Sequence, residues 1–90
     1  MKNDSSLSNL PNIGKVLCKR LTDVGIKTAE ELKAIGSENA FIRLKTVDES
    51  ACIYKLMALE GAIQEIRWHG LSGLRKEELK AFHKALKAKK

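Results

Sequence analysis

A chain of 90 residues with 17 Lys or Arg against 11 Asp or Glu, net charge +6, is long enough for one domain that buries roughly 60–65% of the surface its unfolded form exposes. Aromatic residues make up only 4%, so burial rests on Leu, Ile, Val and Ala, which fill helix–helix seams better than sandwich cores. Cys18 and Cys52 cannot build a multi-bridge framework, neither has a Cys or His at metal-ligand spacing, and no apolar run reaches the roughly 20 residues of a membrane span. The polar start Met1 to Ser6 lacks the apolar stretch of a signal peptide. These features point to a soluble, cytoplasmic protein with no membrane partner and no metal or other cofactor.

The positive excess is uneven. Residues 1–49 carry eight basic side chains against seven acids, and residues 50–90 nine against four. Such a C-terminal half suits a polyanion, an acidic protein face or solubility alone.

In chain order, Leu10-Pro11-Asn12-Ile13-Gly14 ends a short apolar turn at a proline and supplies Asn12 and Gly14, two residues that tolerate left-handed backbone angles. A tight hairpin is expected there, after a short N-terminal arm over residues 1–9. Ile13, Leu17, Leu21 and Val24 then step by four, four and three, which predicts a helix from about Gly14 to Val24, stopped by Gly25. Thr28-Ala29-Glu30-Glu31 reads as a capping box that opens a second helix carrying Ala29, Leu32 and Ile35 inward. Gly36 stops it, and Ser37 is expected to cap a third helix over about Glu38 to Thr46, anchored by Phe41 and Leu44.

Asp48 and Glu49 place negative charge where the next helix should start. Cys52, Leu56, Leu59, Ile63 and Ile66 form its stripe and Ile53 and Met57 widen it, which predicts the central core helix, with Cys52 packed in the core and Trp68 closing the end. Gly61 costs that helix about 1 kcal/mol relative to alanine, so a neighbouring helix crossing at close range is expected there. After Leu71 and Ser72, the residues Leu79, Phe82 and Leu86 mark a fifth helix, fraying at Lys89 and Lys90. The expected architecture is all-α: a five-helix compact domain over residues 10–90.

The run Leu10 to Leu21, continued through Gly25-Ile26-Lys27-Thr28 to Glu31-Leu32, resembles the helix-hairpin-helix pattern of many DNA-binding modules. With Ala58-Leu59-Glu60-Gly61-Ala62-Ile63 and Arg67-Trp68-His69 followed by Leu71, the chain from Leu10 to about Phe82 looks like the C-terminal domain of TfoX (Sxy) proteins. The resemblance implies a fold related to the sterile-alpha-motif and helix-hairpin-helix group, and a bacterial regulatory role in competence for DNA uptake. It implies no reaction. In that family this domain usually follows an N-terminal domain, so the sequence reads as either a stand-alone version or a piece.

The functional expectation centres on the hairpin. Asn12, Ile13 and Gly14 open a helix whose free amides and dipole suit a phosphate oxygen, and Lys15, Lys19 and Arg20 supply cations for backbone contact without base readout. A structural turn with a solvated basic face is the alternative reading of the same residues. Asn12 stands where DNA-binding hairpins commonly have glycine, and its side chain is expected to crowd a phosphate. Lys76, Lys80, Lys84 and Lys87 form a stripe on the fifth helix whose default reading is a solvated face. Trp68 and His69 read either as a cover for the core or as an anchor for a partner, a transcription-related protein or a second copy. The acids are expected at caps or on solvated helix faces, and no nucleophile motif or Gly-rich phosphate cradle appears, so neither an enzyme nor a small-molecule substrate is expected.

Overall fold

The computed structural model describes residues 7–88 and has five α-helices: α1 (Lys15–Asp23), α2 (Ala29–Ile35), α3 (Ser37–Lys45), α4 (Ile53–Gln64) and α5 (Gly73–Ala88). Short 3-10 turns lie at Leu7–Asn9 and Trp68–Gly70. The all-α, five-helix architecture expected from the periodicity is therefore present. Leu7, assigned above to the N-terminal arm, is buried in the core, whereas residues 1–6 of that arm and the closing Lys89 and Lys90 lie outside the described residues.

Local chemistry explains the first three helices. Gly25 has a positive φ of 90°, and the Ile26 and Gly25 amides return to the Leu21 and Thr22 carbonyls, a Schellman ending that drives Ile26 into the core. The capping box is complete: the Glu31 amide donates to Thr28 Oγ1 (3.1 Å) and the Thr28 amide to Glu31 Oε1 (3.2 Å). Gly36, at φ 87° and ψ 160°, ends α2 and caps α3 with a backbone that favours glycine. Ser37, expected to be that cap, is instead the first residue of α3 and turns its hydroxyl into the core.

The central helix α4 packs against α2, α3, α5 and the Trp68–Gly70 turn. It begins later than expected. The Asp48 carboxylate accepts the Ser50 amide and hydroxyl, and the Lys45 ammonium donates to the Glu49 and Ala51 carbonyls, so the acids close a turn instead of starting a helix. Cys52 becomes the residue before α4 and is exposed, a correction to its expected core position. At the other end Glu65 adopts a left-handed conformation (φ 61°) and ion-pairs with Lys33. The helix stops there, Ile66 is 37% exposed, and Trp68 lies beyond the helix it was expected to close.

Two junctions fix these helices. At the first, Asn12 (φ 71°) donates from Nδ2 to the Ile66 carbonyl (2.9 Å) and accepts the Trp68 amide at Oδ1 (3.3 Å). This is possible because Gly61 has no side chain: a Cβ there would lie 2.6 Å from Asn12 Nδ2 and 2.8 Å from the Ile66 carbonyl oxygen. The close approach expected at Gly61 exists, but it is made by the hairpin and the chain leaving α4, not by a crossing helix.

At the second, Arg75 of α5 reaches Glu60 of α4 (3.0 Å) and Glu38 of α3 (3.0 Å), and the Ser37 hydroxyl and Gln64 amide donate to the same Glu60 carboxylate (2.7 and 2.6 Å). Burial alone would raise the Glu60 carboxyl. The hydrogen bonds from Arg75, Gln64 and Ser37 outweigh it and hold the group below the usual carboxylate range. Glu38 follows the same pattern, with burial opposed chiefly by Arg75.

Gly61→Ala is expected to lower stability by about 2 kcal/mol despite alanine's better helix propensity, because the Ile66 carbonyl must move; an unchanged denaturant midpoint would contradict the account. Arg75→Ala should cost about 2 kcal/mol, below the full penalty of a deeply buried pair because the Arg75 side chain is 25% exposed. Glu60 and Glu38 have depressed carboxyls, so their contribution is complete above the ordinary carboxylate range and is lost as pH falls through and below it. Thermal melts against pH should accordingly fall on acidification, and less steeply in Glu60→Gln.

Candidate nucleic-acid interface

The hairpin places its residues in two sets. Ile13 is buried and belongs to the core. Asn12 spends its amide on the bonds already described and also borders the groove beside Gly14 and Lys15. Gly14 and Lys15 face outward.

Gly14 precedes α1 with φ −91° and ψ −177°, an extended backbone open to any residue, so its tolerance of left-handed angles is not used. A Cβ added at Gly14 would meet nothing within 4 Å. Neither the backbone nor the packing of this chain requires a glycine there. No side chain caps α1, so the amides of its first turn point outward with the positive end of the helix dipole behind them.

The cations divide similarly. Lys15 and Lys19 lie one turn apart on the exposed face of α1, and Lys19 makes a loose pair with Asp23 (3.6 Å) at the surface, where such a pair holds little energy. Arg20 is engaged elsewhere: its guanidinium donates to the Val47 carbonyl (2.8 Å) and ties α1 to the segment after α3. Of the three basic residues expected to serve a phosphate, two are displayed and one is structural. On α5, Lys76 donates to the His69 carbonyl (3.2 Å) and Lys80 pairs with Glu77, while Lys84 is exposed.

Trp68 is half-buried and packs against the core, its ring stacked on exposed His69 (centroids 4.0 Å apart) with the Lys76 ammonium 6.0 Å from the ring centre. The Trp68 ring also meets Tyr54, at 5.6 Å and 58°. Tyr54 was not singled out by the sequence, because a lone tyrosine near a helix start carries no periodic signal. It borders a groove of about 420 Å³ between the first turns of α1 and α4, where Gly14, Lys15, Val16, Cys52 and Lys55 also line the wall. α4, like α1, begins without a side-chain cap.

A second, smaller groove of about 240 Å³ lies between α3 and α5, lined by Phe41, Ile42, His83 and Leu86, with Lys45 and Lys87 at its edge. Burial, then the charges of Lys87 and Lys45, push His83 below the usual histidine value. Among the described residues no three His, Cys, Asp or Glu side chains group as a metal site, and no helix is long and apolar enough to cross a membrane.

The comparisons with known proteins agree with this architecture. A crystal structure of an uncharacterized protein from Listeria monocytogenes, in a triclinic form, superposes with a TM-score of 0.90 at 55% identity, covering 92% of this chain and 94% of that one. A tetragonal-form structure of a protein of unknown function from the same organism gives 0.87 at 57% identity, covering 90% and 99%. No curated protein matches the chain. The TfoX C-terminal domain family matches residues 3–83, nearly the whole sequence, and this chain belongs to that family.

Proposed function

We propose that this chain is a non-enzymatic regulatory module, competence-related as its family suggests, that holds nucleic-acid backbone at the start of α1. The observation that supports this most is Gly14. It opens an uncapped helix into empty space where the chain's own folding would accept a side chain, next to Lys15 and Lys19. A glycine at such a position allows a phosphate oxygen to reach the amides of the first turn. The bonds of Asn12 to the Ile66 carbonyl and the Trp68 amide add to this, since they engage its amide within the fold.

Contacts of this kind position a backbone and carry no sequence information, so weak sequence preference follows. Four of the acids serve the fold: Glu60 and Glu38 are bound to Arg75, Glu31 caps α2, and Asp48 closes a turn. A second reading, a protein-docking module, draws on the aromatic group of Tyr54, Trp68 and His69 beside exposed Val16.

Fluorescence anisotropy with a short labelled duplex at low salt tests the first reading. Affinity on the order of micromolar is expected, falling steeply with salt. Lys15→Glu or Lys19→Glu should weaken it and reduce the salt slope by about one unit for each phosphate that the variant no longer neutralises. Gly14→Val should bind less well while keeping the wild-type circular dichroism spectrum. A duplex that fails to bind at low salt sinks the proposal.

A further inference from the structure

The groove beside the hairpin has features that backbone contact alone does not use. Tyr54 is 59% exposed, yet its ring is backed on one side by Trp68, which is itself held by His69 and the core. An aromatic ring fixed along one edge and open on the other is a stacking platform that loses little side-chain entropy when a flat partner lands on it. Beside it, Val16 is 66% exposed on the opposite wall.

The charged side chains that line this apolar cleft are both cations. Lys15 and Lys55 line it and no carboxylate does. Lys15 enters no ion pair among the described residues, and the partner of Lys55, Asp48, belongs to the turn before α4. A cavity of about 420 Å³ falls toward the small end of the roughly 300–1,000 Å³ usual for compact ligands. That volume accommodates one flat group with its attached sugar.

We infer that this groove takes an unpaired nucleotide, its base stacked on Tyr54 and its phosphate beside Gly14 and Lys15, so that the module prefers single-stranded over double-stranded nucleic acid. The inference rests on the hairpin reading above and adds the state of the strand. In a duplex every base is already stacked and paired, and only the backbone could meet the hairpin. In a single strand the base is free to turn toward Tyr54 while its own phosphate stays at the start of α1. Stacking on an aromatic face accepts any base, which agrees with the weak sequence preference already derived. The uncompensated Lys15 ammonium at an apolar cleft that no carboxylate lines favours this polyanion with flat faces over an apolar protein surface.

The test compares labelled oligothymidine, oligouridine and a duplex of the same length, each titrated by anisotropy with the full chain at low salt. Single strands are expected to bind more tightly than the duplex, and the two single-stranded arms tell whether DNA or RNA is preferred. Tyr54→Ala should weaken single-strand binding on the order of tenfold and leave duplex binding nearly unchanged, while Tyr54→Phe retains the affinity. Lys15→Glu should weaken both.

Circular dichroism on Tyr54→Ala checks that the exposed substitution leaves the fold intact. Equal binding of duplex and single strand, insensitive to Tyr54→Ala, overturns this inference and leaves the hairpin reading standing. Failure of all three probes overturns both. Self-association that disappears in Tyr54→Ala, without oligonucleotide binding, overturns both in favour of a protein interface.

Discussion

The contact between Asn12 and Gly61 decides how the two halves of this protein meet. A side chain from the hairpin enters the space that a missing Cβ leaves on α4, and there it serves the carbonyl of Ile66 and the amide of Trp68. Three consequences follow from one insertion. The hairpin sits against the end of the central helix, so the start of α1 has a fixed direction. The chain leaving α4 is drawn back across the same point instead of continuing as helix. Trp68 is thereby brought beside Tyr54, and the groove acquires its aromatic edge. Asn12 can occupy this place because asparagine tolerates the left-handed backbone that the turn imposes and carries both a donor and an acceptor.

Much of this fold is legible in the sequence because its signals are local. The hairpin, the Schellman ending at Gly25 and the capping box at Thr28 each depend on residues within a few positions of one another. The apolar steps through Leu17 and Leu21, and through Leu56 and Leu59, likewise identify helix faces that are buried. The errors cluster where a residue's partner is distant or where two local rules compete. Asp48 and Glu49 satisfy the rule for a helix start, yet Asp48 finds Ser50 first and closes a turn. Cys52 and Ile66 keep the spacing of the stripe while lying outside the helix, and spacing cannot report where a helix ends.

The candidate site is legible to a similar degree. Glycine, lysine and the preceding proline identify the hairpin, but nothing in the sequence distinguishes Lys19, which is displayed, from Arg20, whose guanidinium is committed to Val47. The direction of the Asn12 side chain is hidden from the sequence because its partners lie far along the chain. The Ser37–Glu60–Arg75 cluster is hidden for the same reason, although a glutamate in the middle of the most apolar helix is a signal. Such a carboxylate needs a cation, and Arg75 on the next helix is the one that reaches it. The lesson for the site is a division of labour within one hairpin: Asn12, Ile13 and Arg20 hold it, and Gly14, Lys15 and Lys19 are what it presents.

The attachment of α5 has a further consequence, for motion. This sixteen-residue helix contributes a single fully buried side chain, Leu79, and otherwise leans on partly covered Phe82 and Leu86 and on the Arg75 clamp near its beginning. Protection from solvent is therefore concentrated in its first half, and opening from the C-terminal end disturbs little apolar packing. Stability in such an element declines along its length, so amide exchange in the last turns should proceed without unfolding the rest. Its opening withdraws His83 from the edge of the Phe41 ring on α3, while the groove between the starts of α1 and α4 is lined by no residue of α5.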